Sequence, residues 1–563
     1  MIINLLKKNL SILDFKQKKI IAYLVLMQII TTILELANIA LIIPLADSFF
    51  NSKTEFNYLN IYLKFFDSSS SASIFYLLTI LFSIIYFFKN LLYILFNFIE
   101  SKRVYLIGYQ ISNRIVKNFF LNENYFLTDN ASKIQVIYSD VREFVGNCLK
   151  PLLHLFRDLI ILFSILIFLL IYDYKKFLFL FIFLFIILLV FSFLKNSIHK
   201  YGSIRRKAEQ NKLVDLQNII YSFLEIKVYF REVFFLNRFK NNNFLNHYYQ
   251  GINAFLGSIS RGVIEILLII ILLFFLIFSY ISDLAADYKV ISDNLVFIVA
   301  LLRFLPLVSR INVSINTMRF GFPSIQVIQD YLKNNFDSVV PNNKIKKKIT
   351  FNQHIKIKNL SYAFNNKNYL FKNLNFKIKK NSIIKIIGPS GSGKSTLARI
   401  LMGFEKFKTG SILVDNKNIS NDSISWINKI AYLPQKIYLF PGTVKENIVF
   451  GEGDKMFDKK KFNIAMQKSN LNKRFLPNSI IRENAQNISG GEAQRIALAR
   501  AMYNSREILI FDEPTNGLDK LNINLFEKLL IKLSKEKTII VITHDQNFLK
   551  KIKNIIDLKK NKI

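Results

Sequence analysis

The chain has 563 residues, too many for one core, so at least two domains are expected. Hydrophobic residues reach 52 % and mean hydropathy is +0.28, which points to a membrane protein and excludes a wholly soluble enzyme. The formal charge of +37 fits an anionic leaflet or a chain-wide bias toward Lys and Asn, and no nucleic-acid recognition module accompanies it. Cys148 is the only cysteine, which rules out an intrachain disulfide and a cysteine-based metal site.

From the N-terminus, Met1 to Lys19 mixes leucines with five lysines and has no cleavage site after a short apolar core. An interfacial helix on the cytoplasmic membrane surface is expected there. Six stretches then reach the roughly 20 apolar residues a spanning helix needs: Ile20–Ala46, Ser73–Phe98, Leu149–Tyr172, Phe177–Leu194, Phe255–Ile281 and Leu295–Ile311. The loops Glu100–Cys148 and Lys195–Asn253 are rich in basic residues, whereas the opposite, shorter loops hold few. The positive-inside rule therefore puts these two long loops, both termini and the C-terminal domain in the cytoplasm of a multi-pass inner-membrane protein. Amphipathic patterns at Tyr109–Phe120 and Leu213–Phe235 predict helices that run well out of the bilayer.

Ionisable residues inside spans are costly and face a cavity or a partner. They are Glu35, Lys89, Arg157, Asp158, the i, i+4 pair Arg261 and Glu265, and the i, i+7 pair Arg303 and Arg310. Arg303 and Arg310 have no acidic neighbour in their own helix, so a cationic lining for an anionic cargo is expected. Residues 1–325 then form the transmembrane domain, residues 326–350 a polar linker with the basic run Lys344–Lys348, and residues 351–563 a second domain.

His354–Leu360 alternates as a strand and leads to Tyr362, whose ring suits either purine stacking or a core position. Gly388-Pro389-Ser390-Gly391-Ser392-Gly393-Lys394-Ser395-Thr396 lies between an apolar strand and a helix, as a P-loop requires. Its glycines let N–H groups curl around phosphate. Lys394 is placed for the β- and γ-phosphates and the Ser395 hydroxyl for Mg²⁺. Pro434 ends the next strand and leaves Gln435 on a loop, where its amide can meet Mg²⁺ and the attacking water. Ser489-Gly490-Gly491 opens a strong helix and forms a second anion site. The buried strand Glu507–Phe511 ends in Asp512, placed for Mg²⁺, and Glu513, placed to polarise water. His544 closes the buried strand Thr538–Thr543, near the same phosphates.

In this order the motifs resemble those of an ABC transporter over nearly the whole chain, in the half-transporter layout of exporters. The resemblance implies a six-helix all-α transmembrane domain plus an α/β P-loop NTPase domain, with ATP and Mg²⁺ as cofactors. It also implies that Tyr362 stacks adenine, Gln435 is the Q-loop, Ser489 to Gly491 the signature, Asp519 the D-loop aspartate and His544 the switch histidine. Within the family, Glu35 with Ile39–Pro44, Arg303–Pro306 with Arg310, and Tyr369–Leu374 are similar to PglK-type flippases of lipid-linked oligosaccharides. That likeness implies a cavity in which Lys89, Arg261, Arg303 and Arg310 bind the cargo's pyrophosphate. It also implies a homodimer, since one chain supplies one P-loop and one signature. General lipid, drug or peptide export and an ATP-gated channel are the alternatives. Ile488 and Glu492 depart from the usual Leu and Gln of the signature, Gly517 from the usual Ala, and Ile480–Asn487 is short and lacks glycine.

Overall fold

The computed structural model describes residues 2–50, 71–121, 130–172, 195–282, 288–333, 349–365, 368–419, 423–451, 457–471, 475–516 and 518–559, with single residues and short pieces between 174 and 184. It divides into two units, Met1–Asp337 and Ser338–Ile563.

The first unit is helical: α1 (Ile2–Ile12), α2 (Phe15–Phe50), α3 (Ser71–Leu121), α4 (Lys150–Tyr172), α5 (Lys195–Tyr221), α6 (Glu232–Ser282) and α7 (Tyr288–Lys333). The 51 residues of α3 rise to about 75 Å at about 1.5 Å each. A hydrocarbon core is about 30 Å thick, so α3 runs far beyond it. Among the described residues, three stretches are long and apolar enough to cross a membrane: Phe15–Asn38, Phe75–Phe120 and Ala131–Ile171. The apolar window of the second is only 11 % buried, which leaves Ile80, Ile84, Phe87 and Ile94 facing outward, as lipid contact requires. The fifth and sixth predicted spans fall within α6 and α7, whereas most of Phe177–Leu194 lies outside the described residues.

The polar stretch expected as linker starts too early. Helix α7 continues through Pro306 and Pro323 to Lys333, and Ile325, Ile328 and Leu332 bury the face that closes it. Hydropathy hides this because Asn312, Ser314, Asn316, Arg319 and Ser324 are also buried there. Residues 334–348 lie outside the described residues. Two π-helical stretches, Val136–Asp140 and Phe144–Leu149, precede α4. Asp140 is buried there and takes a two-pronged bond from Arg206 (3.0 and 2.8 Å) and another from Ser324 Oγ (2.8 Å), which ties this turn to α5 and α7. At Gly202 a Cβ would stand 2.2 Å from the Phe320 carbonyl, so α5 and α7 meet backbone to backbone.

The second unit is α/β. A four-stranded antiparallel sheet runs β2-β1-β4-β5, from β1 (His354–Asn365), β2 (Asn368–Lys379), β4 (Thr409–Val414) and β5 (Lys417–Asn418). A five-stranded parallel sheet runs β11-β3-β10-β9-β6, from β3 (Ile383–Ile387), β6 (Ile430–Leu433), β9 (Ile508–Asp512), β10 (Thr538–Thr543) and β11 (Ile555–Asp557). A two-stranded ribbon pairs β7 (Gly442–Thr443) with β8 (Ile480–Ile481). Every residue of β9 and β10 is buried, because helices α8 (Lys394–Met402), α9 (Gly490–Tyr503) and α10 (Lys520–Leu533) belong to a parallel sheet covered on both faces.

Candidate nucleotide site and membrane cavity

Sheet register brings the distant motifs together. Ile387 of β3 pairs with Thr543 of β10, and Ile542 pairs with Asp512 of β9. Gly388, Glu513 and His544 therefore leave the sheet at one level, at the carboxyl ends where α/β sheets bind ligands. Around them lies a cavity of about 590 Å³, lined by Ser390, Gly391, Gly393, Lys394, Ser395, Thr396, Gln435, Asp512, Glu513 and His544, with Leu370 and Asn516.

Gly391 and Gly393 hold φ of +75° and +90°, which side chains resist, and Gly393 starts α8. A Cβ on Gly393 would also stand 2.4 Å from Leu370. Gly393→Ala should weaken ATP binding about tenfold or more, since strain of this kind costs about 1–3 kcal/mol. A fluorescent-nucleotide titration reads this, and unchanged affinity would contradict it.

Lys394 is buried, and its Nζ donates to the carbonyls of Gly388 (2.9 Å) and Pro389 (3.1 Å), 3.7 Å from Glu513 Oε1. The other oxygen of Glu513 faces His544 Nδ1 at 2.7 Å and accepts weakly from Thr543 Oγ1 and the His544 amide, both at 3.3 Å. Glu513 sits at φ +49°, a left-handed conformation that turns its carboxylate into the cavity side of the sheet end. Asp512 is buried and accepts from the Tyr432 hydroxyl at 3.0 Å. Burial and the Asp512 charge push the Tyr432 pKa up, so it stays a donor. Tyr432 was not foreseen; its signal is the position two residues ahead of Pro434, in a strand pairing directly with β9.

The residues suit a magnesium nucleotide. Ser395, Asp512 and Gln435 offer hard oxygens. Among the described residues no group of three His, Cys, Asp or Glu side chains could hold a metal ion. Ser392 Oγ is buried in the loop with no hydrogen-bond partner, an orphan inside a phosphate cradle.

Tyr362 does not line this cavity. It is buried, its ring stands 6.0 Å from Phe371, and its hydroxyl donates to Glu405 at 2.9 Å. The expected adenine platform is thus a core aromatic here, because register shifts in β1 at this point turn the ring toward β2. Ser489, Gly490, Gly491 and Asp519 also lie away from the cavity. Ser489 caps α9 in a reciprocal box with Glu492 (2.8 and 3.4 Å), so the Glu that departs from the usual Gln serves the cap. Asp519 caps α10 through the Asn522 amide at 2.7 Å.

In the helical unit, a cavity of about 180 Å³ is lined by Thr31, Glu35, Lys89, Asn90, Tyr93, Arg157, Ile161 and Arg310. The unpaired cationic lining expected from α7 alone is corrected by its neighbours. Arg303 binds Glu35 at 3.0 Å, Lys89 approaches the same carboxylate at 3.8 Å, and Asp158 holds both Arg157 (3.3 Å) and Arg310 (3.2 Å). Each carboxylate is shared by two cations, so the cluster remains positive while every arginine has a partner. The Arg261 side chain lies outside the described residues.

Residues 371–516 match the family model described as ABC transporter. Over 217 residues the chain is 37 % identical to the lactococcin-G-processing and transport ATP-binding protein LagD of Lactococcus lactis subsp. lactis, covering 37 % of this chain and 30 % of that protein. Over 216 residues it is 35 % identical to the ATP-dependent lipid A-core flippase of Wigglesworthia glossinidia brevipalpis, covering 37 % of each. The chain thus spans about a third of the length of these curated relatives. A solved structure of a bacterial Atm1-family ABC exporter with ATP bound superposes with a TM-score of 0.75 at 16 % identity, over 95 % of this chain and 92 % of that one. The chain thus has the fold of that exporter, and its residues 371–516 are similar to an ABC transporter domain.

Proposed function

We propose that the chain is one half of an ATP-driven exporter in the cytoplasmic membrane, working as a homodimer. The observation that carries this is the meeting of Lys394, Glu513 and His544 beside Ser395, Asp512 and Gln435 in one cavity at the sheet's carboxyl edge. In this reading the P-loop amides and Lys394 bind the phosphates, and γ-phosphate oxygens replace the Glu513 contact with Lys394. Glu513 then orients a water whose oxygen attacks the γ-phosphorus as the bond to the bridging oxygen breaks, releasing ADP and phosphate. His544 holds the carboxylate of Glu513 in place. Magnesium, when bound, spreads the charge of the phosphates. Ser489, exposed at the start of α9, and the half-buried Gly491 would close over the nucleotide of a second copy.

For cargo we propose a lipid-linked oligosaccharide or polysaccharide precursor. The positive cluster of Lys89, Arg157, Arg303 and Arg310 supports an anionic head group, although each cation must trade a carboxylate for it. The relatives whose names mention a lipid flippase and a bacteriocin transporter favour amphipathic lipid or peptide as rival cargo. Proteoliposomes containing the full chain should translocate labelled lipid-linked glycan with ATP at least about tenfold faster than without. Movement of lipid A or peptide alone would transfer the reading to those cargoes, and none at all would remove it.

A further inference from the structure

We infer that Lys385 is a positioning residue for His544, a role that rests on the ATPase reading above. Lys385 sits in the middle of β3 and is 1 % exposed. Its side chain lies on the same strand face as Ile383, within the apolar cluster that includes Phe511, Val541, Phe548 and Leu549. A cation in such a place is tolerated only when its protons are taken up. Two of them are: Nζ donates to the Gln546 carbonyl at 2.7 Å and the Phe548 carbonyl at 2.6 Å. Asp545 and Glu527 supply the nearby negative charge.

Both carbonyls belong to the turn directly after His544. The same turn is held from its other side, where Glu527 of α10 accepts the Leu549 amide at 2.5 Å. At its start, Thr543 Oγ1 accepts the Asp545 amide at 3.0 Å and itself reaches Glu513. Lys385 therefore anchors the segment leaving His544 to β3, the strand that delivers the P-loop three residues later. The β3–β10 ladder sets the spacing of the two halves, and the Lys385 ammonium ties the turn beyond His544 to that frame. An apolar residue at 385 would leave two buried carbonyls orphaned, and the turn would move to find water. His544 and, through it, the 2.7 Å contact to Glu513 would follow.

The test uses the full chain in nanodiscs, with Lys385→Met, His544→Ala and the double variant. Lys385→Met should lower kcat for ATP about tenfold with KM within about twofold, because a small misplacement of a reacting group costs that order. Amide exchange at 545–549, measured without nucleotide, should quicken by about tenfold or more. In the His544→Ala background the Lys385 substitution should cost nothing further. Unchanged kcat and exchange would overturn the inference, as would an equal loss in both backgrounds or a loss confined to KM. If Lys385→Met does not fold, Lys385→Gln, which keeps two N–H donors at shorter reach, is judged by the same criteria. Should the unsubstituted chain hydrolyse no ATP, the ATPase reading falls, while the exchange data still decide whether Lys385 holds the turn.

Discussion

Glu513→Gln is expected to lower ATP hydrolysis about a thousandfold while leaving ATP affinity within a few-fold, the range that loss of a general base gives. The substitution keeps the size of the side chain and an acceptor oxygen for Thr543 and the His544 amide. It removes the charge that faces Lys394 at 3.7 Å and His544 at 2.7 Å. Phosphate binding should survive, because the Lys394 bonds to Gly388 and Pro389 and the glycine conformations do not involve residue 513. With ATP and magnesium the variant should accumulate as a closed dimer on size exclusion, since the bound nucleotide is no longer consumed. Phosphate release near the wild-type rate would show that another group activates the water. A monomer that still hydrolyses ATP fully would remove the two-copy site as well.

The nucleotide half was legible because its motifs are local and the sheet adds only register. A strand before Gly388, a strand before Asp512 and a strand before His544 suffice once β3, β10 and β9 lie side by side. What escaped was polar chemistry whose partner lies elsewhere in the chain. Arg303 finds Glu35 at a separation of 268 residues and Arg310 finds Asp158 at 152, so inspection of α7 alone leaves both unpaired. Lys385 reads as an ordinary break in an apolar strand until the turn 161 residues later closes over it. Tyr362 failed for a geometric reason: strand alternation does not survive the register shifts of β1, so the facing of its ring could not be counted out. The end of α7 failed for a chemical one, since its buried face mixes Ile with Asn, Ser and Arg.

The paired charges of the helical unit make the second large prediction an asymmetric one. Asp158 is fully buried and answers both Arg157 and Arg310, whereas the Arg310 side chain is 50 % exposed toward the cavity. Asp158→Ala strands two guanidinium groups, one of them only 10 % exposed, and should cost about 3–5 kcal/mol, the range for breaking a buried pair. Loss of the monodisperse peak after mild heating in detergent reads that cost. Arg310→Gln leaves Asp158 still bonded to Arg157 and opens its gap toward water, so stability should hold within about 1 kcal/mol. Glycan translocation should nevertheless fall about tenfold or more if Arg310 meets an anionic head group, since charged hydrogen bonds contribute about 1.5–3 kcal/mol each. Full transport by a stable Arg310→Gln protein would mean that the cluster only stitches α2, α3, α4 and α7 together. A stable Asp158→Ala protein would mean that the arginines reach water or another carboxylate without it, and the case for a cavity held by shared carboxylates would go.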